Sequence, residues 1–237
     1  MVKIALDAGH GFNTAGKRSP TGEREWFFNN QVLLACMARL NEYENVSLLR
    51  LDDASGKIDQ PLEERTNRAN QWKADVLISF HHNANTGQWG NWGGVETLVY
   101  PTASKTSFQL AELIHPKVVQ AMGLRDRGIK KRNLHVLRES NMPAILIEGG
   151  FYDSLTDIQA LRSSDRLIAQ GVAVADGLAA YYKLKKKTVE AGNAGTDNQT
   201  TTEYRLVTGT FKTKQAAEKA AEQLRNRYGW TIYIKDV

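Results

Sequence analysis

Between Val2 and Tyr182, short runs of β-branched and aliphatic residues alternate with segments of helical apolar spacing, and that alternation most limits the fold. Val2–Leu6, Val46–Leu51, Asp75–Phe80, Gly94–Tyr100, Leu134–Leu137 and Ala144–Glu148 read as strands. Trp26–Leu40, Leu62–Lys73, Ser104–Met122 and Ser163–Tyr182 read as helices. Strands separated by helices pair through crossovers, so the expected fold is α/β: a twisted, mostly parallel sheet flanked by helices. In such sheets chemistry collects where strands end.

The pattern stops near residue 184. Residues 185–203 open on lysines and continue from Thr188 as small polar residues without aromatics, which reads as a flexible linker. Residues 204–237 then carry seven basic against three acidic residues, so +4 of a formal net charge of +5 sits in the short tail. A basic module of this kind suits an anionic partner. The domains are therefore 1–184, a linker over 185–203, and a small module over 204–237. The one cysteine, Cys36, lies in the apolar run Gln31–Met37 and reads as a buried hydrophobe, which excludes an internal disulfide framework. No apolar run approaches the ~18 residues of a membrane helix, and the first residues hold no signal-peptide core.

Three strand ends carry acid–base or metal-binding residues. Asp7-Ala8-Gly9-His10-Gly11 presents an imidazole from a tight turn. Ser79-Phe80-His81-His82-Asn83 brings two histidines to the end of a buried strand. Ile145-Leu146-Ile147-Glu148-Gly149-Gly150 ends an apolar strand on a carboxylate, whose partial desolvation raises its pKa toward the range of proton transfer. Two histidines and one carboxylate make an open zinc site of the His2Glu kind. Glu25, at the start of the first helix, is the best candidate for the third ligand, and Glu23 is its rival.

Taken in order, these segments resemble the zinc-dependent N-acetylmuramoyl-L-alanine amidases of the Amidase 3 type. The resemblance rests on five motifs: Asp7–Gly11, Glu25 with Asn29, Leu62–Asn70 with Ala74–Ala84, Gly94–Thr97, and Val136–Arg138 with Met142–Phe151. It implies a phosphorylase/hydrolase-like sheet, Zn2+ as cofactor with His10, Glu25 and His81 as ligands, and Glu148 as catalytic acid/base. The implied reaction is hydrolysis of the amide joining N-acetylmuramic acid to L-alanine of the peptidoglycan stem peptide, with cell-wall lysis as its result. The family usually has a small residue where this chain has His82; strand alternation sends neighbours to opposite faces, and the family pattern picks His81. The chain also reads Phe151-Tyr152-Asp153-Ser154 where the family tends to show an asparagine. Glu96, Trp92 and His135 are candidates for substrate binding. His115 reads as structural, and Lys130-Lys131-Arg132 as a solvated face.

The tail reads as strand (Tyr204–Phe211), helix (Lys214–Tyr228, with Thr213 as N-cap) and strand (Trp230–Lys235), a βαβ unit resembling half of a peptidoglycan-binding SPOR domain. Half a domain has a small core, so pairing with a second copy into a homodimer through the tails is expected. The expected partner is peptidoglycan within the anionic cell wall, with no nucleic acid and no membrane insertion. Synthesis in the cytoplasm without a signal peptide, and action on the wall after holin release or cell lysis, fit a phage endolysin or a sporulation autolysin. The rival readings are a non-catalytic peptidoglycan-binding protein and a zinc peptidase cutting within the stem peptide.

Overall fold

Six strands form one sheet in a computed structural model that describes residues 1–188, 213–218 and 221–222. They are β1 (Val2–Ala8), β2 (Val46–Arg50), β3 (Val76–Asn83), β4 (Val95–Val99), β5 (Asp126–Lys131) and β6 (Ala144–Phe151), in the order β2-β1-β3-β6-β4-β5. The strands β2, β1, β3 and β6 are mutually parallel, whereas β4 lies antiparallel to β6 and parallel to β5. The helices are α1 (Glu25–Leu40), α2 (Leu62–Trp72), α3 (Lys105–Met122), α4 (His135–Arg138), α5 (Asp157–Leu161) and α6 (Ser164–Tyr182). From β1 the chain passes to β2 on one side and returns to β3 on the other. The sheet order thus reverses beside β1, and the crevice beyond β1 and β3 is where an α/β sheet offers a site.

Strand alternation divides the core between two unequal faces. Ile4, Leu6, Ile78, Phe80, Ile145 and Ile147 meet α1, α3 and α6 in the larger cluster, where each fully buried side chain contributes roughly 1.5–3 kcal/mol. Ala5, Leu77, Leu98 and Leu146 meet Ala69, Val136 and Leu137 of α2 and α4 in the smaller one. Cys36 is fully buried in the larger cluster, as expected. The helix ends also follow the expected chemistry. Ser104 Oγ accepts from Ser107 N at 3.2 Å, and Gly123 closes α3 with φ 62°.

Three elements differ from the sequence reading, one of them the short helix α5, which it did not contain. Leu134–Leu137 is not a strand: its residues start the single turn α4, which packs Val136 and Leu137 into the smaller cluster. A four-residue apolar run fits either structure, and tertiary packing decides. The unexpected β5 has the sequence Asp-Arg-Gly-Ile-Lys-Lys, which carries no apolar alternation because it is an edge strand, protected by charge.

The chain divides into the units Met1–Val189 and Glu190–Val237. Within the first, Lys186 bridges to Tyr43, and Glu44 N donates to Lys185 O at 2.8 Å. In the second, a helical stretch begins at Lys214, and Thr213 Oγ1 accepts from Ala216 N at 3.2 Å. The strands read at Tyr204–Phe211 and Trp230–Lys235 lie outside the described residues. Among the described residues, no helix is long and apolar enough to cross a membrane.

Candidate metal centre

The loop after β1 and the end of β3 meet through a close backbone approach. A Cβ on Gly9 would stand 2.0 Å from His81 Cε1, so only glycine lets the loop lie against that ring. The next residue, His10, adopts φ 67°, a left-handed conformation uncommon outside glycine. Arg65 of α2 holds that turn. Its guanidinium is 2% exposed and donates to Ala8 O at 2.9 Å and His10 O at 3.0 Å while pairing with buried Asp7. Asp7 in turn accepts from Ser79 Oγ at 2.7 Å on the neighbouring strand.

Glu25 enters from the first turn of α1. Its backbone N–H donates to Lys17 O at 3.0 Å, which docks the preceding loop on the helix end. Oε1 accepts from His81 Nδ1 at 3.1 Å and from His82 N at 3.2 Å. Oε2 lies 3.3 Å from His10 Nε2 and 3.9 Å from Lys17 Nζ, and is buried without a hydrogen-bond partner. Ligand atoms of His10, Glu25 and His81 all lie within 4.8 Å of one another. Two imidazoles, one carboxylate and an unpartnered buried oxygen are the donor set of an open zinc site, so the residues present fit that ion.

The rival carboxylate is engaged elsewhere: Glu23 accepts from Thr21 Oγ1 at 2.6 Å and Arg162 Nε at 2.7 Å. His82 points to the other face of β3, where its Nδ1 lies 2.8 Å from Asn29 Oδ1.

Burial alone would push the Glu25 carboxyl up, but hydrogen bonds and charge from His10 and His81 outweigh it and keep the group ionised. Burial lowers His10, while Glu25 draws His81 up against the effect of burial. Glu148 behaves in the opposite way to Glu25. It is in register with His81 on one side and Glu96 on the other, across β3, β6 and β4. Burial raises it to about 8, with Glu25 and Glu96 adding to the rise while His81 and Lys17 oppose it. Its Oε2 is buried and has no partner.

The remaining candidates take other positions. Glu96 is neutralised by Arg127 Nε at 2.8 Å and by Lys130, and accepts from Asn83 Nδ2 at 3.1 Å. Trp92 donates through Nε1 to Asp153 Oδ1 at 2.8 Å, which anchors the loop after β3. The other oxygen of Asp153 accepts from the N–H groups of Asn85, Thr86 and Gly87 at 2.8–3.0 Å. Asp153 thus ties down the loop through four donors, while Ser154, at the position where the family tends to show an asparagine, takes the N–H of Asp157 on its Oγ at 3.1 Å. His135 lies in α4 with Nε2 3.2 Å from Thr66 Oγ1 of α2. His115 is buried between Thr97 and Asp126, a structural position as expected. Lys130 therefore belongs to the Glu96 cluster, whereas Lys131 and Arg132 are exposed. Asp7, Asn29 and Arg65 build the site although the sequence reading assigned them no role. Arg65 stands on the inward face of α2 with Thr66 and Ala69, a face too polar to be read from periodicity.

Comparison with known proteins gives this geometry a context. The sequence profile of the N-acetylmuramoyl-L-alanine amidase family matches residues 4–180, and that of the SPOR domain matches residues 171–232. The chain is 36% identical over 238 residues to a sporulation-specific N-acetylmuramoyl-L-alanine amidase of Bacillus subtilis, covering 100% of this chain and 86% of that protein. It is 35% identical to the N-acetylmuramoyl-L-alanine amidase CwlM of Bacillus licheniformis, covering 94% of this chain and 81% of the relative. The catalytic domain of the amidase CwlV of Paenibacillus polymyxa superposes with a TM-score of 0.68 at 30% identity, over 78% of this chain and 100% of that domain.

Proposed function

The chain belongs to the N-acetylmuramoyl-L-alanine amidase family, and on that premise we propose how its own residues do the work. The protein hydrolyses peptidoglycan at the amide between N-acetylmuramic acid and L-alanine of the stem peptide. In our reading His10, Glu25 and His81 hold a zinc ion. Zinc at such a site lowers the pKa of a water toward ~7 and polarises the scissile carbonyl. Glu148 takes the proton of the attacking water and returns it to the departing L-alanine nitrogen. Burial raises this carboxyl to about 8 in the metal-free protein, and a cation bound beside it would lower it again, which favours one group serving in turn as base and acid. The observation that carries the reading is the convergence of His10, Glu25 and His81 within 4.8 Å, with Glu148 in register beside His81.

The catalytic domain in this reading spans 1–184 with Lys185–Lys187 paired onto it, followed by a linker to residue 203 and a wall-binding module over 204–237. The match of the SPOR profile and the +4 charge of the tail support wall attachment. The module pairs with a second copy, so the full chain should sediment as a dimer and residues 1–187 as a monomer.

Digestion of purified peptidoglycan, with mass spectrometry of the fragments, tests the reaction. Wild type should release new L-alanine amino termini and leave glycan strands intact, and Glu148→Ala should not. New reducing sugar ends would contradict the amidase reading, and undiminished lysis by the variant would contradict the role of Glu148.

A further inference from the structure

His82 takes no part in the mechanism above, yet it is 1% exposed and lies directly behind the metal centre. Asn29 settles how it is protonated. Asn29 Nδ2 donates to Gly9 O at 3.0 Å and points at Glu25 Oε1 at 3.5 Å, so its Oδ1 is the atom facing His82 Nδ1 at 2.8 Å. An amide oxygen needs a donor, so Nδ1 carries the hydrogen, and Nε2, buried with no acceptor to receive a second one, is bare in the neutral ring.

The bare nitrogen is buried and unpartnered, and it faces Gln170 of α6, whose amide atoms are equally buried and unpartnered. A Cβ on Gly149 would stand 2.4 Å from Gln170 Nε2, so that glycine makes the room for the amide. His82 therefore fills a polar pocket closed by α6 on one side and Asn29 on the other. It is held away from the ligand atoms of His10, Glu25 and His81.

We propose that His82 is a positioning residue for the metal centre: its Nδ1–H locks Asn29, which holds both the Gly9 carbonyl beside His10 and the carboxylate of Glu25. One hydrogen bond thus sets two of the three ligands before the metal arrives. The inference rests on the ligand assignment made above. Partners behind a metal ligand of this kind contribute about 10–100-fold to metal affinity.

The test is the zinc affinity of the full chain, measured against a chromophoric chelator for wild type, His82→Leu, His82→Asn and Glu25→Ala. The expected result is one zinc per wild-type chain and about 10–100-fold weaker binding by His82→Leu. His82→Asn, whose amide returns a donor near the Nδ1 position, should stay within about threefold of wild type. Equal affinity of His82→Leu and wild type would overturn the inference, as would equal losses in the Leu and Asn variants. Zinc binding by Glu25→Ala as tight as wild type would instead overturn the ligand assignment. Nitrogen-15 spectra of the wild-type imidazoles need no substitution and serve even where His82→Leu fails to fold. His82 Nε2 should show an unprotonated shift with and without zinc, while His10 and His81 nitrogens move on zinc addition. A zinc-dependent shift of His82 Nε2 to that of a ligand nitrogen would also overturn the inference.

Discussion

Glu25 bonds His81 from the start of α1 and Glu148 neighbours it across the sheet, the first buried and the second half-buried with its Oε2 enclosed, and their protons go in opposite directions. On the Glu25 side, His81 Nδ1 and His82 N donate to one oxygen while His10 and Lys17 face the other. On the Glu148 side, the nearest register partners are His81 and another carboxylate, Glu96, and Oε2 has no donor at all. Burial pushes both groups up; only donors and positive charge reverse it. One pole is built to hold a charge and the other to hold a proton, which is the division a metal-dependent hydrolase needs between ligand and acid/base.

The two poles should separate under substitution. The largest effect is expected from Glu148→Gln, which should lower the rate of amide cleavage by about 10²–10⁴-fold while leaving zinc affinity near wild type. Parallel loss of zinc would blur the division. Next comes the support of the charged pole. Arg65→Met leaves buried Asp7 without its cation and should cost about 3–5 kcal/mol in chemical denaturation. A loss below about 1 kcal/mol would show that Asp7 finds water instead. Gly9→Ala should drive the His81 ring from its place and weaken zinc about 10–100-fold.

The last expectation is a matter of pH. The folded state holds the Glu148 proton up to about 8, whereas the unfolded chain releases it near 4.5. Between those values the native state binds the extra proton, so metal-free wild type should lose stability through this group as pH rises and level off above 8. Glu148→Gln removes that slope. Its melting temperature should therefore rise relative to wild type as pH goes from 5 to 8, and a constant difference would contradict the buried proton.

His10, His81 and Glu148 were legible because glycines and histidines punctuate the ends of apolar strands: Gly9-His10-Gly11, Phe80-His81 and Ile147-Glu148-Gly149 all stand where periodicity breaks, whereas Glu25, at a helix start beside its rival Glu23, was settled only by the family resemblance. What was not legible has no such mark. Arg65 lies on a helix whose inward face is Arg65, Thr66 and Ala69, so the apolar pattern is silent there. The charged edge strand β5 buries no continuous face, and the short apolar run Leu134–Leu137 fits a turn of helix as well as a strand. Strand alternation put His81 and His82 on opposite faces but did not say which binds; the family pattern picked His81, and in the structure His82 turns to Asn29.

The division of labour between the two glutamates is open to one direct measurement. Carbon-13 spectra of glutamate side-chain carboxyls in the metal-free protein, with Glu25→Gln and Glu148→Gln for assignment, report each ionisation state across pH. At pH 6 Glu25 should be ionised and Glu148 protonated, with Glu148 titrating near 8. Both groups ionised at pH 6 would contradict the account.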